Sequence, residues 1–334
     1  MKRRIVIIGS HLNYNLEHFI YRAFERLNHE VKFIGFKDIL GKDYSELIRM
    51  ISSRSYLLRK LSTPLWLNKL NKIYLDEINK INPDFVLSIK GETVTPNTLN
   101  MLEKNVGVRT ALWFPDDPRF FNSLVKYIAP RYSNVFSYSS NAIENYRALG
   151  IKNISRIPFG CDPEIHDNNF ITENKINKAI FIGTYSPKRY RFIKSLIRGG
   201  VPIDVSGPHW PSEISKNLVG KGVFGKNYVN TIKTYSAVIN LHQDINYGPN
   251  MRAFEVTGSG GILITDRAED ILSFFSENSE ILVYNDNSEA QTIIKNIING
   301  NINTEKMARN AHHACHTKFT YDRRAKEILD IIFH

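Results

Sequence analysis

Asn250-Met-Arg-Ala-Phe-Glu-Val-Thr-Gly-Ser-Gly-Gly-Ile-Leu-Ile-Thr-Asp266 is the stretch on which the reading of the chain turns. A polar loop enters an apolar helix, a glycine-rich turn ends it, and a buried strand closes on Asp266. A helix start presents unpaired N–H groups and the positive end of a dipole, which suits phosphate. Arg252 adds a charge within that first turn, and Glu255 follows one turn later. A carboxylate only accepts hydrogen bonds, so it suits a pair of vicinal hydroxyls such as a ribose diol. The alternative is an ordinary strand–helix turn with a solvated Arg and Glu; the combined spacing favours a site.

Outward from this stretch the pattern is strand, turn, helix, repeated. Ala179-Ile-Phe-Ile182 runs into Gly183 and a basic helix start at Lys188, and strands are expected at 203–206, 237–241, 261–265 and 280–284. The first half opens the same way. Ile5-Val-Ile-Ile8 is followed by Gly9-Ser10, an amphipathic stretch from Leu16 to Leu27, and a strand over 31–36. That β-α-β spacing belongs to a parallel sheet covered by helices. Further strands are expected at 85–89, 110–114 and 135–138, with a break at Pro158-Phe-Gly-Cys-Asp-Pro163 and a polar stretch to Lys178. The expected fold class is therefore α/β, two Rossmann-like halves with a cleft between them as the default ligand site.

Composition sets the outer bounds. The chain has 334 residues, 42% hydrophobic, with 44 Lys plus Arg against 33 Asp plus Glu. It can bury large cores and suits two domains. Cys161 and Cys315 are too few for a disulfide scaffold or a zinc set and fit a reducing compartment. The apolar run Ile5–Ile8 is too short for a signal peptide, and no 18 apolar residues run together to span a membrane. Charge is uneven: residues 1–160 hold 24 basic and 14 acidic side chains, residues 161–334 hold 20 and 19. The excess in the first half points to an anionic partner there.

The Asn250–Asp266 stretch resembles the C-terminal domain of GT-B glycosyltransferases, specifically the CgeB-like (spore maturation protein type) group. Ile157-Pro-Phe-Gly-Cys-Asp-Pro-Glu-Ile-His166 looks like that group's interdomain segment. Phe181-Ile-Gly-Thr-Tyr-Ser-Pro-Lys-Arg189, Ser206-Gly-Pro-His-Trp210, Tyr235-Ser-Ala-Val-Ile-Asn-Leu-His242 and Phe319-Thr-Tyr-Asp-Arg-Arg324 match in order. The resemblance covers most of residues 80–330. It implies a GT-B architecture: an acceptor domain over 1–160, a nucleotide-sugar domain over 161–315, and a C-terminal helix over 316–334 crossing back to the first. It implies transfer of a sugar from a nucleotide-diphosphate sugar to a hydroxyl acceptor, in envelope glycan, polysaccharide or glycolipid assembly. It implies no resident cofactor and no obligatory metal.

Under that resemblance Glu255 falls where related enzymes hold the ribose. Their second Glu, eight residues earlier, is replaced here by Tyr247. Asn250, Met251 and Arg252 form the helix start that would hold the diphosphate, and Gly183 the turn facing it. Arg189, with Lys188 beside it, falls where a cation neutralises the leaving group, which is catalysis by electrostatics. Cations are unfavourable at a helix start, and an anion nearby would resolve that conflict. The alternative is a solvated helix start. Tyr235 and His242 lie near the nucleotide or pack in the core.

In the first half, Trp113-Phe-Pro-Asp-Asp-Pro118 follows a strand. Carboxylates at the carboxyl end of a strand stand where open α/β sheets bind ligands, and one can take a proton from an attacking hydroxyl. Turn chemistry accounts for the same residues equally well. Of the pair, Asp117 is preferred, with Asp116 the alternative. Gly9 and His11 after the first strand, and Lys90 before Gly91-Glu92, line the same side: Gly9 for close backbone approach to phosphate, His11 for sugar or acceptor. His312, His313 and His316 read as a surface helix, not a metal site. From Leu47 to Leu75 there is no acidic residue, while Arg49, Arg54, Arg59, Lys60, Lys69 and Lys72 alternate with leucines and Trp66. Such helices suit an anionic membrane surface, which would place the protein in the cytoplasm, peripheral at the inner face of the membrane. The alternative is packing on the N-terminal sheet. Nucleic acid finds no support from an aromatic-basic motif or a zinc finger. Two rivals to transfer stand: a nucleotide-sugar epimerase on the same fold, and a non-catalytic nucleotide or nucleic-acid binder.

Overall fold

A computed structural model describes residues 1–41, 56–117, 120–166, 175–243 and 248–334, excluding the side chains of 56–65, 105 and 106. Tyr247, Arg49, Arg54 and the side chains of Arg59 and Lys60 therefore lie outside the described residues. The chain divides into two compact units: Met1–Pro158 with Ala325–His334, and Phe159–Arg324.

The first unit is a six-stranded parallel sheet: β1 (Arg4–Gly9), β2 (Glu30–Gly35), β3 (Phe85–Ile89), β4 (Arg109–Phe114), β5 (Asn134–Ser137) and β6 (Ile154–Arg156). Its order is β2-β1-β3-β4-β5-β6. Every residue of β3 is buried, as are five of six in β1 and β4. That is what a parallel sheet covered on both faces demands. The helix Leu16–Arg26 is capped by Asn15, whose side chain accepts from the His18 N–H at 3.1 Å. It buries Leu16, Phe19, Ile20, Ala23 and Phe24, the spacing of one helical face.

The helix Tyr56–Ile81 presents Leu70, Tyr74 and Ile78, all fully buried, to the core of this sheet. Trp66 and Leu75 pack against the same core, while Lys69 and Lys72 stay exposed. Over its described side chains, the acid-free segment thus commits its apolar face to the sheet, leaving Asn68 and its cations to solvent. No helix among the described residues is long and apolar enough to cross a membrane. The helix also pins the loop after β3. Asn71 donates to the Thr93 carbonyl at 2.9 Å and accepts from the Thr95 N–H at 2.9 Å and the Thr98 hydroxyl at 2.7 Å. The Tyr74 hydroxyl bonds Thr93 at 2.9 Å.

The second unit repeats the design with β7 (Ile176–Ile182), β8 (Ile203–Ser206), β9 (Leu218–Gly220), β10 (Tyr235–Asn240), β11 (Leu263–Asp266) and β12 (Leu282–Tyr284), all parallel, in the order β12-β11-β10-β7-β8-β9. The turn after β8 needs glycine: Gly207 has φ +155°, and a Cβ there would run into the Gly183 carbonyl. The helix Thr304–Lys318 buries Ala308, Ala311, His312, Ala314 and Cys315. The surface reading of its histidines is corrected accordingly: His312 is buried with its ring 4.3 Å from that of His316, and His316 bonds the Gly258 carbonyl at 2.8 Å. Alanines on the same face let the helix approach Met251–Gly258 closely. Phe319 and Thr320 interrupt the helical run, so the final helix is Tyr321–Phe333 and residues 316–318 end the helix before it. In the first unit Phe333 of that final helix packs on Phe85 and lies 4.0 Å from the Arg3 guanidinium.

Each sheet reverses strand order once, between β1 and β3 and between β7 and β10. Open parallel sheets bind ligands beyond the carboxyl ends of the strands at such a reversal. The loops there are 10–15 with 90–95, and 183–186 with the described residues 241–243 and 248–250.

Replacing Asn71 by Ala strands the Thr93 carbonyl and the Thr95 N–H and takes one of two partners from the Thr98 hydroxyl. The Asn71→Ala chain should lose about 2–3 kcal/mol of stability in urea unfolding, since each buried group left unpaired costs about 1–3 kcal/mol. A loss under about 0.5 kcal/mol, the scatter of ordinary surface substitutions, would show that the pin is dispensable.

Candidate functional site

At the reversal between β7 and β10 the structure gathers most of the expected donor residues. Ser186 caps the helix Pro187–Arg198 by accepting from the Arg189 N–H, with Pro187 in the first turn where its missing N–H is harmless. Lys188 and Arg189 therefore stand in the first turn of a helix, against the dipole. The Lys188 ammonium donates to the carbonyls of His242 at 2.6 Å and Gln243 at 3.3 Å, so it ties the opposite loop. Arg189 lies 5.6 Å from the centre of the Phe181 ring, and its Nη1 donates to the Thr184 carbonyl at 2.9 Å. Its Nε has no hydrogen-bond partner among the described residues. Burial, then the nearby Arg252 charge, push the Arg189 guanidinium down to about 10, against the pull of Asp266. Two guanidinium groups close enough to repel make a place where an anion is welcome.

Gly183 ends β7 with its N–H given to the Ser206 carbonyl and its own carbonyl accepting from the Trp210 indole, both at 2.8 Å. Its contribution is space: a Cβ would stand 3.4 Å from Nη1 of Arg189. Asn250 precedes the helix Met251–Gly258 but does not cap it with its side chain. Its amide donates to Asn240 Oδ1 at 3.1 Å, while its own Oδ1 is buried without a partner among the described residues. The helix start is thus left open, its first N–H groups without intrahelical acceptors. Arg252 in this turn likewise has an unpartnered Nε among the described residues.

Glu255 follows, half-buried, accepting from the Tyr228 hydroxyl at 3.3 Å. Burial raises its carboxyl above the usual range, opposed by Arg252 and by the Tyr228 hydrogen bond. Tyr228, on the helix Gly225–Thr234, escaped sequence reasoning because its spacing there marks only a core face. Behind the site, His242 is buried with Nδ1 2.6 Å from Asp266, and its Nε2 accepts from the Asn250 N–H at 3.1 Å. Of the two residues left open between nucleotide and core, Tyr235 proves structural. It opens β10 at the amino end and bonds Asp204 at 2.9 Å, away from the strand ends that matter.

In the first unit the same logic applies at β1, β3 and β4. Gly9 makes room for a side chain: a Cβ would stand 2.6 Å from Cγ of Glu17, whose carboxylate accepts from the Ser10 N–H at 3.2 Å and hydroxyl at 2.9 Å. His11 is half-buried, its Nδ1 3.3 Å from the Ser10 hydroxyl. Lys90 has φ +69°, an uncommon conformation for a residue with a side chain, and its ammonium meets Asp116 at 2.7 Å. Burial pulls that ammonium down, but Asp116, with Glu92 and Glu17 behind, outweighs it and holds Lys90 above its ordinary value.

The two aspartates separate sharply. Asp117 is 4% exposed and accepts from the Ser137 hydroxyl at 2.5 Å and the Tyr146 hydroxyl at 3.0 Å. Burial pushes its carboxyl up to about 6, against those two hydrogen bonds. The preference for Asp117 as the group meeting an acceptor is therefore corrected: its carboxylate is turned inward, and Asp116, half-buried, is the more accessible of the two. Among the described residues no group of three or more His, Cys, Asp or Glu is placed to hold a metal ion.

A family model described as glycosyl transferase-like matches residues 188–330, which takes in Lys188, Arg189, Arg252 and Glu255. No curated protein matches the sequence. Among solved structures, Anabaena HepE with UDP and glucose is 13% identical, with a TM-score of 0.67 and 99% of each chain covered. Sucrose-phosphate synthase from Thermosynechococcus elongatus is 9% identical, with a TM-score of 0.68, covering 99% of this chain and 98% of that one. The lipopolysaccharide outer core galactosyltransferase WaaB is 14% identical, with a TM-score of 0.60, covering 99% of this chain and 99% of that one. These likenesses show the fold. The chain has the GT-B architecture of two Rossmann-like parallel sheets.

The buried Asp117 yields a pH prediction. Its folded pKa of about 6 lies above the ordinary carboxylate value, so its contribution to stability is present below pH 4 and lost as pH rises through 6. Wild type should lose up to about 3 kcal/mol relative to Asp117→Asn between about pH 4 and pH 7, because each tenfold change in proton affinity between the unfolded and folded chains is worth about 1.4 kcal/mol. Denaturant unfolding of both proteins across that range measures it, and parallel curves would contradict it.

Proposed function

We propose that this protein is a glycosyltransferase that moves a sugar from a nucleoside-diphosphate sugar to a hydroxyl acceptor. The observation that carries the reading is the convergence at one sheet reversal of Arg189, Arg252 and an uncapped helix start, with Glu255 one turn on. In this reading the guanidinium groups and the open N–H groups of Met251 and Arg252 take the diphosphate, and Glu255 takes the ribose hydroxyls. Charge on the leaving diphosphate grows as the glycosidic bond breaks. Arg189 and Arg252, pre-positioned in a partly dry setting, stabilise that charge without a metal ion. Asp116 takes the proton of the acceptor hydroxyl, oriented by Lys90.

The family-model match over the donor residues supports this reading. So do the solved structures: HepE is described with UDP and glucose, and WaaB as a lipopolysaccharide outer core galactosyltransferase. They favour a UDP-sugar as donor and an envelope glycan or glycolipid as acceptor, in the manner of the CgeB-like group. The exposed Lys69 and Lys72 are the described cations that would face an anionic acceptor or the inner membrane surface.

The test is incubation with UDP-sugars and an envelope glycan extract, reading free UDP. Acceptor-dependent release of UDP is expected. Sugar isomerisation without release would mark an epimerase, and binding without turnover a non-catalytic binder. Glu255→Ala should weaken UDP binding at least tenfold, about 1.4 kcal/mol, by calorimetry; unchanged affinity in a folded variant removes the ribose assignment. Asp116→Asn should lower kcat about a hundredfold or more with donor KM nearly unchanged, the scale of a lost general base. Equal kcat would rule Asp116 out.

A further inference from the structure

The helix Met251–Gly258 begins without the side-chain cap that its leading asparagine would ordinarily supply. Something else must fix where the chain enters it. The Asn250 N–H goes to Nε2 of His242 at 3.1 Å, and Nδ1 of the same ring stands 2.6 Å from Asp266. A main-chain N–H only donates, so Nε2 must be bare. Nδ1 then carries the ring proton and donates it to Asp266. The geometry alone selects the neutral Nδ1–H tautomer.

We infer that His242 is a positioning residue for the donor diphosphate, holding the helix start in place as a neutral acceptor; this rests on the proposed donor site. The ring sits between two fixed points. Asp266 takes both its Nδ1–H and the His242 main-chain N–H, the latter at 3.0 Å to each oxygen. Lys188 fixes the His242 carbonyl from the facing helix. Through Nε2 this anchorage passes to Asn250, and from there to the open N–H groups of Met251 and Arg252. His242 itself stays 3% exposed and need not touch the ligand.

The arrangement has a chemical consequence. A second proton on the ring would convert Nε2 from acceptor to donor, facing another donor at 3.1 Å. The ring therefore anchors the helix start only while Nε2 is bare.

Two substitutions separate the two ends of the ring. The side-chain oxygen of glutamine reaches the Nε2 position, accepts from Asn250 and never takes a proton there. The amide of asparagine reaches the Nδ1 position, donates to Asp266 and offers Asn250 nothing. UDP binding by calorimetry is the measurement, with circular dichroism to show that each variant is folded. H242Q should bind UDP within about threefold of wild type, and H242N should bind at least tenfold more weakly, about 1.4 kcal/mol. Equal binding by H242N and wild type, or binding by H242Q as weak as that of H242N, would overturn the inference. If either variant fails to fold, the other is compared with wild type alone. A wild type that does not bind UDP would instead sink the donor-site reading itself.

Discussion

The Asp266 carboxylate, at the carboxyl end of β11, accepts three hydrogen bonds from one residue of the neighbouring strand's exit, the ring and main-chain N–H groups of His242. β10 and β11 run parallel, with Asn240 opposite Thr265, so the carboxylate meets the chain just as it leaves the sheet. A chain leaving a parallel ladder loses its backbone partners, and its buried N–H groups must find others. Asp266 supplies them, and the orientation it imposes on His242 determines where the chain returns at Asn250. Asn240 takes the Asn250 amide, and Lys188 takes the His242 carbonyl. Asp266, His242, Asn240 and Lys188 together thus aim a helix that has no cap of its own. Leaving a helix start uncapped costs about 1 kcal/mol, and here it keeps those N–H groups open toward the two guanidinium groups.

The first unit shows burial sorting two chemically identical neighbours into different roles. Asp117 turns into the sheet, where Ser137 of β5 and Tyr146 of the next helix hold it. Tyr138 adds a hydroxyl to its main-chain carbonyl at 2.7 Å. That fixes the turn after β4, and with the turn fixed Asp116 has one direction left, toward Lys90. Lys90 in turn is held in a left-handed conformation, followed by Gly91 in the same region, by a loop that Asn71 and Tyr74 anchor from behind. A Cβ on Gly91 would come within 2.9 Å of Leu112 and the Tyr132 hydroxyl. The half-buried ion pair therefore rests on a buried polar framework as well as on its own attraction.

The strands legible in the sequence were those buried on both faces, because a short continuous apolar run between turn residues fits little but a covered parallel strand. β3 and β8 fall on the expected residues, and most others differ at their ends by one or two. The misses are β6 and β9, three-residue edge strands, half-exposed, whose composition carries no period. Of the proposed site residues, Arg189, Arg252 and Glu255 stood out in the sequence because a charge in the first turns of an apolar helix has few structural uses. The choice between Asp116 and Asp117 was not, since both obey the same turn chemistry and only the hydroxyls of Ser137 and Tyr146, 20 and 29 residues on, tell them apart. Glycines misled for a related reason. Gly9 makes room for a side chain and Gly183 for another, and neither neighbour is local enough for a motif to reveal.

Net charge is a poor guide to where an anion is held. Residues 161–334 carry 20 basic and 19 acidic side chains, so as a whole they offer an anion almost no field. Yet within them two half-buried guanidinium groups lie close enough that one depresses the other, with Asp266 only partly compensating. Concentrated cations in a low-dielectric setting act far more strongly than the same charges spread over a solvated surface. The proposed anion site is thus a local construction that overall charge conceals. The excess in residues 1–160 is the reverse case: its described members on the long helix, Lys69, Lys72 and Lys80, stand in solvent behind a face committed to the core. Charges of that kind act at long range and are screened within about 10 Å at ordinary salt. In the proposed function they act on how an anionic partner approaches, while the half-buried Arg189 and Arg252 act on what is held.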